Sequence, residues 1–131
     1  MSYTIEKLPD ERIIINTLNE DYTFGHDSAP NVDELIALLD AQPVPTYLLI
    51  DLTAASVNFS DILQAIALVT KQYQLLKHRN VCESVVIANK PFLKSAAEGL
   101  RNPLFGNVKI RVFDSIAAAL AYVREQMTAG A

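Results

Sequence analysis

The segment Thr46–Asp51 reads Thr-Tyr-Leu-Leu-Ile-Asp, four successive large apolar residues closed by a carboxylate. A strand with one face in water alternates apolar and polar residues, whereas an unbroken apolar run marks a strand covered on both faces. Such a strand sits inside a sheet with structure packed above and below it. In a chain of 131 residues this means helices layered on a mostly parallel sheet. Pro43 and Pro45 stand just before the run and prevent a preceding helix from continuing into it.

The flanking sequence supplies the layers. Tyr3–Leu8 and Glu11–Leu18 are rich in β-branched residues and are separated by Pro9-Asp10, which predicts an N-terminal hairpin. After the polar stretch 19–30, Asn31-Val32-Asp33-Glu34 has the form of a capping box. Val32, Leu35, Ile36 and Leu39 then recur at helical spacing, predicting a short helix to about Asp40. A longer helix is expected from Asn58 or Ser60 to about His78, with Ile62, Ile66, Val69, Tyr73 and Leu76 in one stripe. Lys77, His78 and Arg79 suit its negative C-terminal end, and Asn80 is the expected stop.

Glu83–Asn89 is a second run of the buried-strand type. Phe92–Arg101 reads as a helix with Leu93, Ala96, Ala97 and Leu100 on one side, closed by Pro103 and Gly106. Val108–Phe113 is the last expected strand. Asp114 or Ser115 then caps a helix whose Ile116, Leu120, Val123 and Met127 face inward. The order is ββαβαβαβα, an α/β chain with a mixed, mostly parallel sheet, an N-terminal hairpin and helices packed on it. No repeat, linker or low-complexity stretch interrupts it, so residues 1–131 are expected to form one domain.

Composition narrows the function. The net charge is −4, and the 11 lysines and arginines are scattered, without the basic patch that nucleic-acid binding requires. One cysteine, Cys82, excludes an internal disulfide and a cysteine-built metal cage. The longest stretch without Asp, Glu, Lys or Arg is Ala41–Ile50, well below the ~20 residues of a membrane span. The start of the chain has no apolar signal region. The expectation is a cytoplasmic protein with no integral membrane segment and no nucleic-acid partner.

The stretch Thr46–Leu63 resembles the central signature of STAS domains, the anti-sigma-factor antagonist-like family. It has a hydrophobic strand ending in Asp51-Leu52, then a short loop leading to a serine at a helix start. Val112-Phe113-Asp114-Ser115 followed by an Ala-Leu helix is similar to the family's ending, and the element order matches over nearly the whole chain. The resemblance implies a SpoIIAA-like fold and a non-enzymatic regulatory domain that binds a protein partner, an anti-sigma-factor-like or kinase-like protein, or a second copy of itself. It also implies that Ser60 occupies the position phosphorylated in the antagonists. Around it the residues depart from the family pattern: Phe59 precedes Ser60, Asp61 follows it, and Ile62 stands where glycine is usual. These substitutions are compatible with the SpoIIAA-like branch in which the switch motif is not kept.

Read by their chemistry, the candidate residues are few. A phosphate on Ser60 would lie against the positive end of a helix, with Asp61 opposing it; Ser60 is otherwise an ordinary first-turn serine. Asp51, at the mouth of the presumed central strand, can hold the following loop by accepting backbone N–H groups. Together Asp51, Thr53, Ser56, Asn58, Phe59 and Asp61 are expected to form an exposed binding rim around Ser60. Leu63, Leu68 and Leu75 lie off the main stripe of the long helix and are expected to offer an apolar contact for a dimer or a greasy groove; ordinary core packing is the alternative. Phe92, Leu104 and Phe105 add apolar bulk near the connections.

No catalytic residues, metal ligands or cofactor motif can be assigned. His26 lies in Phe24-Gly25-His26-Asp27-Ser28, read as a solvated loop, and His78 fits the helix dipole, so neither has ligand spacing. Cys82 reads as a buried, inert thiol. Gly25, Gly99, Gly106 and Gly130 are too dispersed for a phosphate-cradling loop, and the nucleophile elbow of hydrolases is absent. A regulatory interaction domain is the leading reading. A carrier or sensor of a small apolar ligand or lipid is the second, and an enzyme built on Asp51, Asp61 and His26 is the third.

Overall fold

A computed structural model describes residues 2–68, 75–101 and 109–129 of the protein. In chain order it contains β1 (Tyr3–Lys7), β2 (Ile13–Leu18), α1 (Phe24–Asp40), β3 (Thr46–Asp51) and α2 (Phe59–Ala67). A short 3-10 turn at Leu75–Lys77 follows, and then β4 (Val81–Ile87), α3 (Pro91–Gly99), β5 (Ile110–Phe113) and α4 (Ile116–Ala129). The strands make one sheet in the order β1-β2-β3-β4-β5. β1 is antiparallel to β2, and every other pairing is parallel. The apolar run in β3 lies at the centre, where Leu49 pairs with Ile15 on one side and Val85 on the other.

Because each strand is added beside the last in one direction, crossovers of one hand put α1, α2 and α3 on the same face. Leu48 and Val86 point into that layer, against Leu35, Leu39, Ile62 and Leu93. α4 follows the last strand and covers the other face, where Ala119 and Val123 meet Tyr47, Leu49, Val85 and Ile87. The period of two in β3 thus supplies both cores from one segment.

The hairpin turn uses Asp10 at φ 62°, a left-handed conformation that aspartate tolerates better than most residues. The Leu8 N–H donates to the Ile13 carbonyl at 3.0 Å across it. Beside the turn, Arg124 of α4 donates Nε and Nη2 to the Glu11 carboxylate at 2.9 and 3.0 Å. This two-pronged pair fastens the hairpin to the last helix.

Several local expectations change. α1 starts at Phe24 with Thr23 as N-cap, so Asn31 is not a cap but a buried residue inside the helix. The cause is an inward face that begins two turns earlier: Phe24, Ser28, Asn31, Val32, Leu35 and Leu39 are all buried, and the Asp27 carboxylate accepts the Thr23 N–H at 2.8 Å at the start. Pro30, with no N–H for the His26 carbonyl, is carried inside α1 on an exposed position. His26 and Gly25 are therefore in the first turn of a helix, not in a loop.

The expected helix from Asn58 to His78 is described only as α2 and the 3-10 turn at Leu75–Lys77. Val69 and Tyr73 of its stripe lie outside the described residues, as do Pro103, Leu104, Phe105, Gly106, Val108 and Gly130. Asn80 caps a different helix from the one expected. Its amide donates to the carbonyls of Leu39 and Gln42 at 2.9 and 3.3 Å, at the end of α1. Beside it His78 Nδ1 accepts the Asn80 N–H at 3.0 Å, which leaves Nε2 to donate to Asp40 at 2.7 Å. Cys82 lies within β4, half-buried, and the Tyr47 hydroxyl bonds to it.

Candidate functional site

Two features on the α1–α3 side of the sheet lie outside simple core packing, a rim and a cavity. The rim begins where β3 ends. The Asp51 carboxylate accepts the Thr53 N–H at 2.9 Å and the Thr53 hydroxyl at 2.6 Å, folding the chain away from the strand. Leu52 stays in register by donating its N–H to the Ile87 carbonyl at 2.9 Å. Ala55 and Val57 then turn inward as anchors, while Thr53, Ser56 and Asn58 are exposed.

α2 opens with a reciprocal capping box. Asn58 Oδ1 accepts the Asp61 N–H at 2.8 Å, and the Asp61 carboxylate accepts the Asn58 N–H at 3.0 Å. Ser60 is therefore the second residue of the helix and not its cap. It is exposed, and Gln64 Nε2 donates to its Oγ at 3.4 Å. On the same turn Phe59 is 70% exposed and Leu63, four residues on, is 54% exposed. Phe92, at the start of α3, is 42% exposed at the same carboxyl-terminal edge of the parallel strands. The rim thus combines apolar side chains with a hydroxyl at a helix start.

The three leucines expected to share one apolar contact separate. Leu63 is exposed, Leu68 is half-buried, and Leu75 is 1% exposed and belongs to the core. Leu75 departs from the helical projection because it lies in the 3-10 turn, whose side chains follow a different period. Leu68 and Leu75 instead line a cavity.

That cavity, of about 120 Å³, lies between the sheet and α1–α3. Leu35, Ile50, Ile62, Leu76, Leu93 and Leu100 are among its apolar walls, and one part is polar, formed by Asn16, Tyr22, Ser28 and Asn31. Asn16 and Asn31 exchange amide hydrogen bonds of 3.0 and 2.8 Å. The Tyr22 hydroxyl lies 3.2 Å from both Ser28 Oγ and Asn31 Oδ1, and burial pushes its pKa up, so it stays a neutral donor.

The sequence reading missed this cluster. Its signal is present, because Asn16 shares the inward face of β2 with Ile14 and Leu18, while Ser28 and Asn31 extend the spacing of Leu35 backwards along α1.

The described structure does not bring His26, Asp51 and Asp61 together by any hydrogen bond. His26 is exposed on α1, and no bond joins it to Asp51 or Asp61, which are engaged by Thr53 and Asn58. Among the described residues no group of three or more His, Cys, Asp or Glu side chains could hold a metal ion. No helix among them is long and apolar enough to cross a membrane.

No protein-family model matches the sequence, and no curated protein matches it either. Solved structures do match. One is an uncharacterized DUF3478-family protein with a SpoIIAA-like fold from Shewanella loihica, at a TM-score of 0.61 and 18% identity over 92% of this chain and 91% of that one. Another is an anti-sigma factor antagonist from Mycobacterium paratuberculosis, at a TM-score of 0.51 and 18% identity over 93% and 92% of the two chains. With the sheet order, the single antiparallel edge and the placement of the helices, these likenesses establish that the chain has a SpoIIAA-like, STAS-type fold.

Proposed function

We propose that this protein is a non-enzymatic regulatory domain that docks a protein partner through the rim from Asp51 to Leu63. The observation that carries the reading is the exposure of Phe59 and Leu63, 70% and 54%, four residues apart on the first turns of α2. Residues at that spacing share a helix face, and an exposed aromatic beside an exposed leucine is the kind of patch that anchors an interface. Its fold likeness to an anti-sigma factor antagonist supports a partner of the anti-sigma-factor or kinase-like class.

Ser60 lies beside the two apolar anchors, next to Phe59 in sequence and three residues before Leu63, with its side chain exposed on the first turn of the helix. Phosphate there would gain from the helix N-terminus and would place about two negative charges beside the apolar contact. Asp61 opposes that charge, and its carboxylate is already committed to the Asn58 N–H. The proposed switch therefore acts by spoiling an apolar docking face, with Asp51 and Thr53 holding the loop in place.

Affinity capture from the native lysate tests the reading. Wild-type protein is expected to recover a partner that the Phe59→Ser/Leu63→Ser variant loses, with the variant's circular dichroism unchanged. Recovery of the same proteins by both would overturn it. For the switch, phosphopeptide mapping of Ser60 is paired with binding by Ser60→Asp. A serine unmodified under every growth condition, together with undiminished binding by Ser60→Asp, removes it.

A further inference from the structure

The cavity between the sheet and α1–α3 carries an inference independent of the rim. Its volume of about 120 Å³ approaches the ~150 Å³ of an engineered apolar cavity that takes up benzene. Among the described residues that line it there is no Asp, Glu, Lys or Arg. A charged occupant would thus lose its hydration with no counter-ion among the described wall residues to compensate.

The polar part of the wall has spare capacity of one kind. Each side-chain amide carries two N–H donors and one oxygen with two acceptor sites. The reciprocal pair uses one N–H from Asn16 and one from Asn31, and Tyr22 adds a second donor to the Asn31 oxygen. One N–H on each amide has no bond among the described residues, while the Asn31 oxygen is fully used. The wall thus has one N–H to give on each amide and acceptor sites on the Asn16, Ser28 and Tyr22 oxygens, so a complementary guest carries a hydrogen-bonding oxygen. The pair is 2% and 3% exposed, so its unspent N–H groups are covered by the surrounding structure.

We infer that this cavity is a binding site for a small uncharged molecule of about six or seven heavy atoms, with an apolar body and one hydrogen-bond-accepting oxygen held by the Asn16–Asn31 amide pair. The ligand class is that of a cyclic ketone or a phenol. Three residues of α2, Ile62, Ala65 and Ile66, belong to the wall, so an occupant would touch the helix that also carries Phe59 and Ser60.

Titration of the full chain with cyclohexanone, phenol, benzene and hexanoate, followed by amide NMR shifts and calorimetry, tests the site. Cyclohexanone and phenol are expected to saturate it, with shifts centred on Leu35, Ile62 and Ala97, and hexanoate is expected not to bind. In Asn16→Leu/Asn31→Leu, cyclohexanone affinity should fall about tenfold while benzene affinity holds or rises, the signature of one lost hydrogen bond. Ala96→Leu, which narrows the cavity by adding bulk at a half-buried wall position, should weaken every probe. The inference is overturned if no neutral probe saturates the wild-type protein. It is equally overturned if hexanoate binds as well as cyclohexanone, or if the shifts fall on exposed residues instead of the cavity wall.

Discussion

Asn16 of β2 and Asn31 of α1 exchange two side-chain hydrogen bonds, 3.0 and 2.8 Å long, with 2% and 3% of their surfaces exposed. Fifteen residues apart in sequence, they tie the first parallel strand to its crossover helix inside an apolar layer. Buried amides are tolerable only as a pair. Asn31→Leu or Asn16→Leu alone should cost about 1–3 kcal/mol, because each strands its partner's polar group. The double replacement should recover much of that loss. Urea unfolding of the four proteins in a double-mutant cycle checks this, and additive losses would contradict it.

The capping box at α2 gives a second expectation. Asn58→Ala removes the acceptor for the Asp61 N–H and should destabilise the protein by about 1 kcal/mol, while Asn58→Asp should be close to neutral. Phe59→Ala, at a mostly exposed position, should change stability by no more than about 0.5 kcal/mol. Thermal melts of the three variants separate rim residues that hold the helix from those that do not.

Ser84 lies fully buried in β4, and its Oγ has no hydrogen-bond partner among the described residues. Removing an unsatisfied hydroxyl removes a desolvation cost. Ser84→Ala should therefore be neutral to about 1 kcal/mol more stable by urea titration. A loss larger than that would reveal a bond to the hydroxyl.

Alkaline pH should weaken the fold through its tyrosines. Burial and a hydrogen bond to Cys82 push the Tyr47 pKa up to about 12; burial and Glu34 do the same for Tyr3. Each folded-state value lies above the ordinary ~10, so the unfolded chain releases these protons first. The stabilisation is complete below pH 10 and is lost as pH rises from there through 12. Urea midpoints measured from pH 8 to 11 should fall at the upper end, and Tyr47→Phe should flatten the decline.

The opposite sign holds at acidic pH for Glu11. Its hydrogen bond to Arg124 lowers its pKa, so its contribution is present above the ordinary glutamate range and is lost as pH falls through the folded value. In Arg124→Gln the acid limb of the stability profile should lose that component. An unchanged profile would mean that the exposed pair contributes nothing measurable.

How far the sequence speaks depends on the range of the interaction involved. Tyr47–Ile50 declared a strand buried on both faces, and Asp51 declared the turn that follows, because chain periodicity and side chain-to-backbone bonds act over a few residues. The order of strands and helices implied a parallel sheet for the same reason. Asn31 matches a cap in sequence but lies inside α1, because Asn-x-x-Glu satisfies the local rule equally well within a helix. Only the packing of α1 on β2 revealed that its partner is Asn16. Likewise Leu75 could be sorted into the core, and a cavity left between α1–α3 and the sheet, only once the layers met. Local periodicity determined which segments this chain would form and which faces they would bury. Tertiary structure decided which side chains met across those faces and where space was left, since shape complementarity between elements distant in sequence is not encoded in either one alone.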